Sequence, residues 1–278
     1  MSQSHQQHQQ HQHDFFDFED ILKRDFELKK DRLTDFLKKA GLAEGQQVLE
    51  LGCGFAPLLE FYCDTVGPSG GVTLVDPEPR LAERLAPRLA SRPNARFAVS
   101  SAEDLASVLP AGGAFDLAVM ANVYHHLADT ATALAAVRSA LRPGGRLVIL
   151  DFIHDTLRLF TSEAANPAAL AVQTRLADLL RPAASPVTAR CCSALAAAGF
   201  EVRLRDAFVL HDRLRSPLGD FYVDAYVKHS LHELASLGRI TKEEVAELLG
   251  QGLPTLQQGD PEAELFSNIN LLVAAERP

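Results

Sequence analysis

Three groups of residues in this 278-residue chain have side chains and spacings suited to chemistry. The first is Val48-Leu49-Glu50-Leu51-Gly52-Cys53-Gly54-Phe55-Ala56-Pro57, an apolar run that ends in closely spaced glycines. Glycines at a strand-to-helix turn let the backbone approach a ligand without a Cβ in the way. Asp76 closes a second apolar run, Val72-Thr73-Leu74-Val75, 26 positions after Glu50. A carboxylate there can accept both hydroxyls of a ribose. A dinucleotide-binding turn wants glycine or alanine where Pro57 stands, and Glu50 would repel a diphosphate. An acidic first turn suits a cationic ligand instead.

The second group is His125-His126, behind the run Phe115–Met120. Imidazole titrates near neutrality, so either histidine is a candidate general base, with packing of the loop as the alternative role. The neighbouring Tyr124 is a candidate wall of an acceptor pocket. The third group is Cys191-Cys192, with only Cys53 and Cys63 elsewhere. Adjacent cysteines cannot easily share one tetrahedral site, and the spacing matches no zinc pattern. They read as small core residues, and no metal site is expected.

Positioning these residues requires a sheet. Strand-like runs at residues 48–51, 72–76, 96–99, 115–120 and 146–150 alternate with helical stretches near 57–64, 78–90, 102–108 and 131–141. Strands flanked on both sides by helices imply parallel pairing with both faces covered, joined by right-handed crossovers. The expected fold is a doubly wound α/β sheet. Further helices are expected at 166–180 and 186–198, a strand at 200–209, mostly helical chain at 211–258, and a final strand at 269–274. Thr241 and Glu244 form a capping box.

Residues 1–13 are Gln- and His-rich and read as a disordered tail. In residues 14–44, Phe18, Leu22, Phe26, Leu33, Phe36 and Ala40 recur at helical spacing before Gly41, with Lys23, Arg24, Lys29 and Lys30 on the other face. This segment and insertions near 154–186 and 211–258 are expected to form a helical lid on a domain spanning 45–278. Phe15, Phe16, Phe18, Phe221, Tyr222 and Tyr226 either wall a greasy pocket or seat the lid.

With 36 acidic against 27 basic residues, the net charge of −9 argues against a nucleic-acid partner. No apolar stretch approaches the length of a membrane span. Few cysteines and no secretory signal point to a cytoplasmic setting, with a monomer or homodimer expected.

Between residues 45 and 153 the chain resembles the class I S-adenosylmethionine-dependent methyltransferases, of the small-molecule type. ELGCGFA is similar to their first motif, with Ala56 where the family has a third glycine. TLVDP, VSSAEDL, FDLAVMANVYHHL and LRPGGRLVILDF resemble the next four, in order. AAGFEVRLRD and NINLLVAAERP resemble the last two strands. The resemblance implies a seven-stranded, mostly parallel Rossmann-like sheet of order 3-2-1-4-5-7-6, with S-adenosylmethionine as cofactor. It implies that Glu50, Gly52, Cys53 and Gly54 line the first turn, that Asp76 holds the ribose, and that Pro77 lies beside the adenine. At Ser101 the family commonly has Asp, so a backbone contact from Ala102 or the acid of Glu103 would serve the adenine edge. Asn122 would face the methionine end.

The expected activity is in-line transfer of a methyl group to an O, N or C atom of a small organic metabolite. The rivals are a cofactor-retaining enzyme of rearrangement or cyclisation, methylation of a macromolecule, and a non-catalytic partner subunit. Asp151, His154 and Asp155 follow the fifth strand and either reach the acceptor or belong to a solvated polar loop. Asp116, at the amino end of the fourth, is expected to serve structure.

Overall fold

A computed structural model describes residues 16, 19–109, 113–160, 167–183, 190–213, 216–236, 238–256 and 265–278. Its centre is one seven-stranded sheet of order β3-β2-β1-β4-β5-β7-β6. The strands are β1 Gln47–Leu51, β2 Gly71–Asp76, β3 Ala95–Val99, β4 Phe115–Ala121, β5 Leu141–Phe160, β6 Glu201–Arg213 and β7 Leu265–Glu276. The first five pair in parallel, and β7 runs antiparallel between β5 and β6.

Alternation of side chains along each strand sorts the core into two layers. Val48, Leu74, Leu117, Val119, Val148 and Leu150 face one side, where α1 (Glu19–Lys39), α2 (Leu59–Val66) and α3 (Leu81–Ala90) contribute Leu33, Phe36, Leu59 and Leu81. Leu49, Leu51, Ala118, Met120, Leu147 and Ile149 face the other, against α4 (Thr130–Ala140) and α6 (Cys191–Ala197). A third cluster lies over the far ends of β5 and β7. It joins α5 (Pro167–Ala183), α7 (Pro217–Tyr222), α8 (His229–Ser236), α9 (Lys242–Glu247) and α10 (Leu253–Leu256) through Leu176, Leu218, Leu231, Val245, Leu253 and Phe266.

The structure departs from the sequence pattern in four places. β5 continues well past Leu150, and β6 and β7 extend with it into a long antiparallel end. The apolar run stops at Ile153, and a break in register between Ile153 and Arg158 hides the continuation from a search for alternation. The helix expected at 102–108 shrinks to a 3-10 turn, Leu105–Ser107, because Ser100 Oγ bonds the Ser101 and Asp104 carbonyls before it. Helix α6 begins at Cys191, while positions 184–189 lie outside the described residues, as do residues 1–15, Phe18 and the Tyr226 side chain. Lys29 is not on an exposed face: it is 1% exposed. Cys191 is buried in α6, and no metal-binding cluster occurs among the described residues. Asp116 accepts the Gln47 amide at 2.6 Å and pairs with Arg142, far from the carboxyl ends. The Thr241–Glu244 capping box is formed, and no described helix is long and apolar enough to cross a membrane.

Candidate active site

Ligands of open α/β sheets bind beyond the carboxyl ends of the strands where strand order reverses, here between β1 and β4. Glu50 sits at that end of β1, 3% exposed, and its Oε2 has no hydrogen-bond partner among the described residues. Burial pushes its pKa up to about 8; the Arg88 charge opposes this and the Asp76 charge adds to it. The Tyr62 hydroxyl on α2 is also buried and without a partner among the described residues. Burial, then the neighbouring Glu50 charge, raises its pKa well above the ordinary value. Sequence reasoning missed Tyr62; its only signal is its place on the inner face of α2.

The turn that follows is held open by backbone geometry. Gly52 has φ +62°, and a Cβ there would lie 2.5 Å from Val123 Cγ2. Ala56, which replaces the expected glycine, also occupies the left-handed region at φ +48°. Asp76 locks this turn to the tip of β2: its Oδ2 accepts the Gly54 amide at 2.9 Å and its Oδ1 the Glu78 amide at 3.0 Å. Each oxygen keeps a lone pair for a hydroxyl donor. Burial raises the Asp76 pKa against these two bonds. Cys53 is 3% exposed with its amide on the Val75 carbonyl. Burial pushes its thiol far up, so it is no nucleophile.

Pro77 is exposed after β2, and Ser101 and Ala102 are half-buried after β3. Glu103 turns toward the β4 loop, where its Oε1 accepts the Ala128 amide at 3.1 Å and the Asp129 amide at 3.4 Å. That engagement makes it first a fastener of the loop.

The far side of the site is built around Asn122, which takes φ +57° at the end of β4, a conformation asparagine tolerates. Its amide donates to the Leu150 carbonyl at 2.8 Å. Its side chain meets α1: Lys29 Nζ donates to Asn122 Oδ1 at 3.2 Å, and Asn122 Nδ2 donates to Asp25 Oδ2 at 3.0 Å. Lys29 also donates to Asp25 Oδ2 at 2.8 Å, and the Tyr222 hydroxyl donates to Asp25 Oδ1 at 2.9 Å. Three donors, from α1, the end of β4 and α7, thus converge on one buried carboxylate. Lys29 had read as an ordinary charge of an amphipathic helix and Asp25 was not singled out; only their i, i+4 spacing marks them as a pair.

His125 and His126 follow on a 3-10 turn, Tyr124–His126. The His125 side chain is 6% exposed, and its Nδ1 lies 2.7 Å from Oδ1 of Asp151, itself fully buried in the middle of β5. Asp151 Oδ2 accepts the His125 amide at 3.0 Å, fixing ring and backbone together. The tautomer assigned from this contact carries the proton on Nδ1 and a lone pair on Nε2. His126 is exposed and packs its ring at 3.8 Å from that of His125. Phe152 joins the two sides, with its ring 5.1 Å from His125, 6.1 Å from Tyr222 and 5.8 Å from Lys29 Nζ. Phe16 covers the first turn, edge-on to Phe55 at 5.5 Å.

A buried acid with one oxygen lacking a partner among the described residues, a glycine-lined turn and a second acid with spare lone pairs fit a ligand with a cationic end and a ribose. S-adenosylmethionine has both. Glu50 with Tyr62 would face its charged end and Asp76 its ribose.

Residues 49–147 match the family model described as a methyltransferase domain. A human thiol S-methyltransferase is 32% identical over 48% of this chain and 53% of its own length. An O-methyltransferase of Penicillium expansum is 33% identical over 49% of this chain and 50% of its own. The chain spans about half the length, or less, of the curated relatives it matches. A solved S-adenosylmethionine-dependent methyltransferase from Mesorhizobium loti shares the fold, with a TM-score of 0.51 at 19% identity over 90% of this chain and 98% of that one. The matched stretch carries the turn after β1 and the acid closing β2, so over residues 49–147 the chain is similar to methyltransferase domains.

Proposed function

We propose that this protein transfers a methyl group from S-adenosylmethionine to a small organic acceptor. The acceptor would lie between α1, α7, the carboxyl end of β4, β5 near Asp151 and the amino half of β7. The observation that carries the reading is the pair of acids at the ends of β1 and β2, Glu50 lacking a partner and Asp76 holding the glycine turn. When bound, the cofactor supplies an electrophilic methyl on a good leaving group. The protein's share is then alignment and exclusion of water.

Gly52, Gly54 and Asp76 set the depth of the cofactor. The Asp25–Lys29–Asn122–Tyr222 network holds α1 over the reacting end, where Phe152 forms an apolar wall. His125 is the group we assign to take a proton from the acceptor at Nε2, with Asp151 as the positioning residue at Nδ1. His126, exposed, supports the His125 ring. Ser101, Ala102 and Pro77 border the adenine, with Glu103 closing the loop behind it. The reading includes a cytoplasmic setting and no nucleic-acid partner, in keeping with the charge of −9.

Calorimetric titration tests the cofactor: S-adenosylmethionine binds, NAD does not, and Asp76→Ala weakens binding at least tenfold. Transfer from methyl-labelled cofactor to a panel of small phenols, thiols and amines tests the activity. Absence of S-adenosylmethionine binding would overturn the reading.

A further inference from the structure

Two amides on β7, Asn268 and Asn270, are 1% and 0% exposed, yet they satisfy each other only in part. Asn270 Nδ2 donates to Asn268 Oδ1 at 2.8 Å. Asn268 Nδ2 and Asn270 Oδ1 have no hydrogen-bond partner among the described residues. Exchanging the nitrogen and oxygen of both amides leaves the same balance, one unused amide N–H group and one unused carbonyl. A folded protein pairs nearly all such atoms, so a donor and an acceptor left side by side in the interior call for a partner.

Their place says where that partner belongs. Alternation puts Asn268 and Asn270 on the same face as Leu272 and Ala274, the face covered by α1. Asn270 is in register with Phe152 on β5 and with Phe208 on β6. Asn268 is in register with Leu210 on β6, but the break in β5 between Ile153 and Arg158 leaves it without a β5 neighbour. The unused bonding capacity therefore lies beside the break in β5, one strand from Phe152, whose ring also contacts His125.

We infer that Asn268 and Asn270 form the acceptor-recognition subsite, and that it takes a neutral, planar molecule with a hydrogen-bond acceptor beside a donor. A cis-lactam or an adjacent hydroxyl and carbonyl has this pattern. A neutral ligand follows from the chemistry: the Asn270 carbonyl repels an anion and the Asn268 amide a cation. Planarity follows from Phe152 and Phe208, which border Asn270 on both sides. The inference rests on the methyl-transfer reading for what becomes of the bound molecule, but binding itself can be tested apart from it.

The test uses the full chain loaded with S-adenosylhomocysteine, titrated with 2-quinolone as the lactam probe and N-methyl-2-quinolone as the probe lacking the donor. The expected result is binding of 2-quinolone with shifts of the side-chain amide NMR signals of both asparagines. Affinity should fall at least tenfold for the N-methyl probe and for Asn268→Leu and Asn270→Leu. Both variants should keep S-adenosylhomocysteine affinity within about twofold and melt no lower than the native chain, since each removes an amide that is only partly satisfied. Absent or equal binding of the two probes overturns the subsite. So do leucine variants that melt lower and still bind 2-quinolone, because the amides are then structural. Failure of S-adenosylhomocysteine itself to bind overturns the proposed function instead.

Discussion

Glu50 should make both stability and cofactor affinity depend on pH, with opposite signs. Its ordinary pKa of 4.5 rises to about 8 in the folded chain, so between those values the native state holds a proton that the unfolded state has released. Stability therefore falls as pH rises through this window. The slope is at most about 1.4 kcal/mol per pH unit, giving about 3 kcal/mol lost between pH 5 and 7.5, or on the order of 8 °C in melting temperature. Asp76, shifted the same way by burial, adds to the native curve, but it is present in both proteins of the comparison. Glu50→Gln, which imitates the protonated acid, should flatten the curve, match the native chain at about pH 4.5 and below, where both states keep the proton, and exceed it increasingly as pH rises toward 8.

The cofactor reverses the sign. A cation beside Glu50 favours the carboxylate, so binding at pH 7 should release about one proton and affinity should rise about tenfold per pH unit from pH 5 toward 8. Calorimetry in buffers of different ionisation enthalpy counts the proton, and denaturant melts from pH 5 to 8.5 give the stability curve. Proton release with S-adenosylmethionine but not S-adenosylhomocysteine would identify the sulfonium as the partner; release with both would identify the ammonium. An unchanged pH profile in Glu50→Gln would refute the reasoning.

Three further perturbations address the rest of the site. Gly52→Ala places a Cβ at φ +62° against Val123 and should cost about 1–2 kcal/mol from backbone strain alone, along with cofactor affinity. Gly52→Ala combined with Val123→Ala should recover part of the affinity, read by calorimetry; additivity would show that the clash is irrelevant. Lys29→Met leaves Asp25 buried with only its two neutral donors and should cost about 3 kcal/mol in a denaturant melt. Asp25→Asn with Lys29→Met should cost less than the single change, because no isolated charge remains. Asp151→Asn should lower methyl transfer about a hundredfold or more and shift its pH profile while leaving cofactor affinity intact. A loss confined to KM, with an unmoved profile, would make Asp151 structural.

The half of the candidate site assigned to the cofactor was legible because it is local. Glu50, the glycines and Asp76 mark strand ends in a continuous pattern, and their chemistry follows from the turn they make. The other half is assembled from distant segments. Lys29 looked like a solvent-facing charge because amphipathic spacing records only the helix face; the Asp25 side chain that lets it be buried sits one turn away in the same helix. Asp151 was within view as the residue closing the fifth strand, but its pairing with His125 depends on the β4–β5 register and a 3-10 turn that no periodicity encodes. Asn268 and Asn270 lie in what read partly as a plain terminal strand. Only their burial, with Leu272 and Ala274 on the same face, distinguishes them from polar edge residues.

This division explains why relatives are informative about one substrate and silent about the other. The family match spans residues 49–147, which hold Glu50, Gly52, Gly54, Asp76, Ala102, Asn122 and His125. Asp25, Lys29, Asp151, Tyr222, Asn268 and Asn270 all fall outside it. The cofactor side thus comes from one contiguous stretch, whereas the acceptor side draws on α1, α7, β5 and β7, which can change without disturbing the glycine turn. Two relatives matched over about half of this chain carry names specifying different acceptor atoms, sulfur in one and oxygen in the other. Acceptor specificity should therefore follow substitutions at α1, α7 and β7. Exchanging residues inside 49–121, which stop short of Asn122 and His125, for those of either relative should change cofactor affinity and rate while leaving the preferred acceptor unchanged.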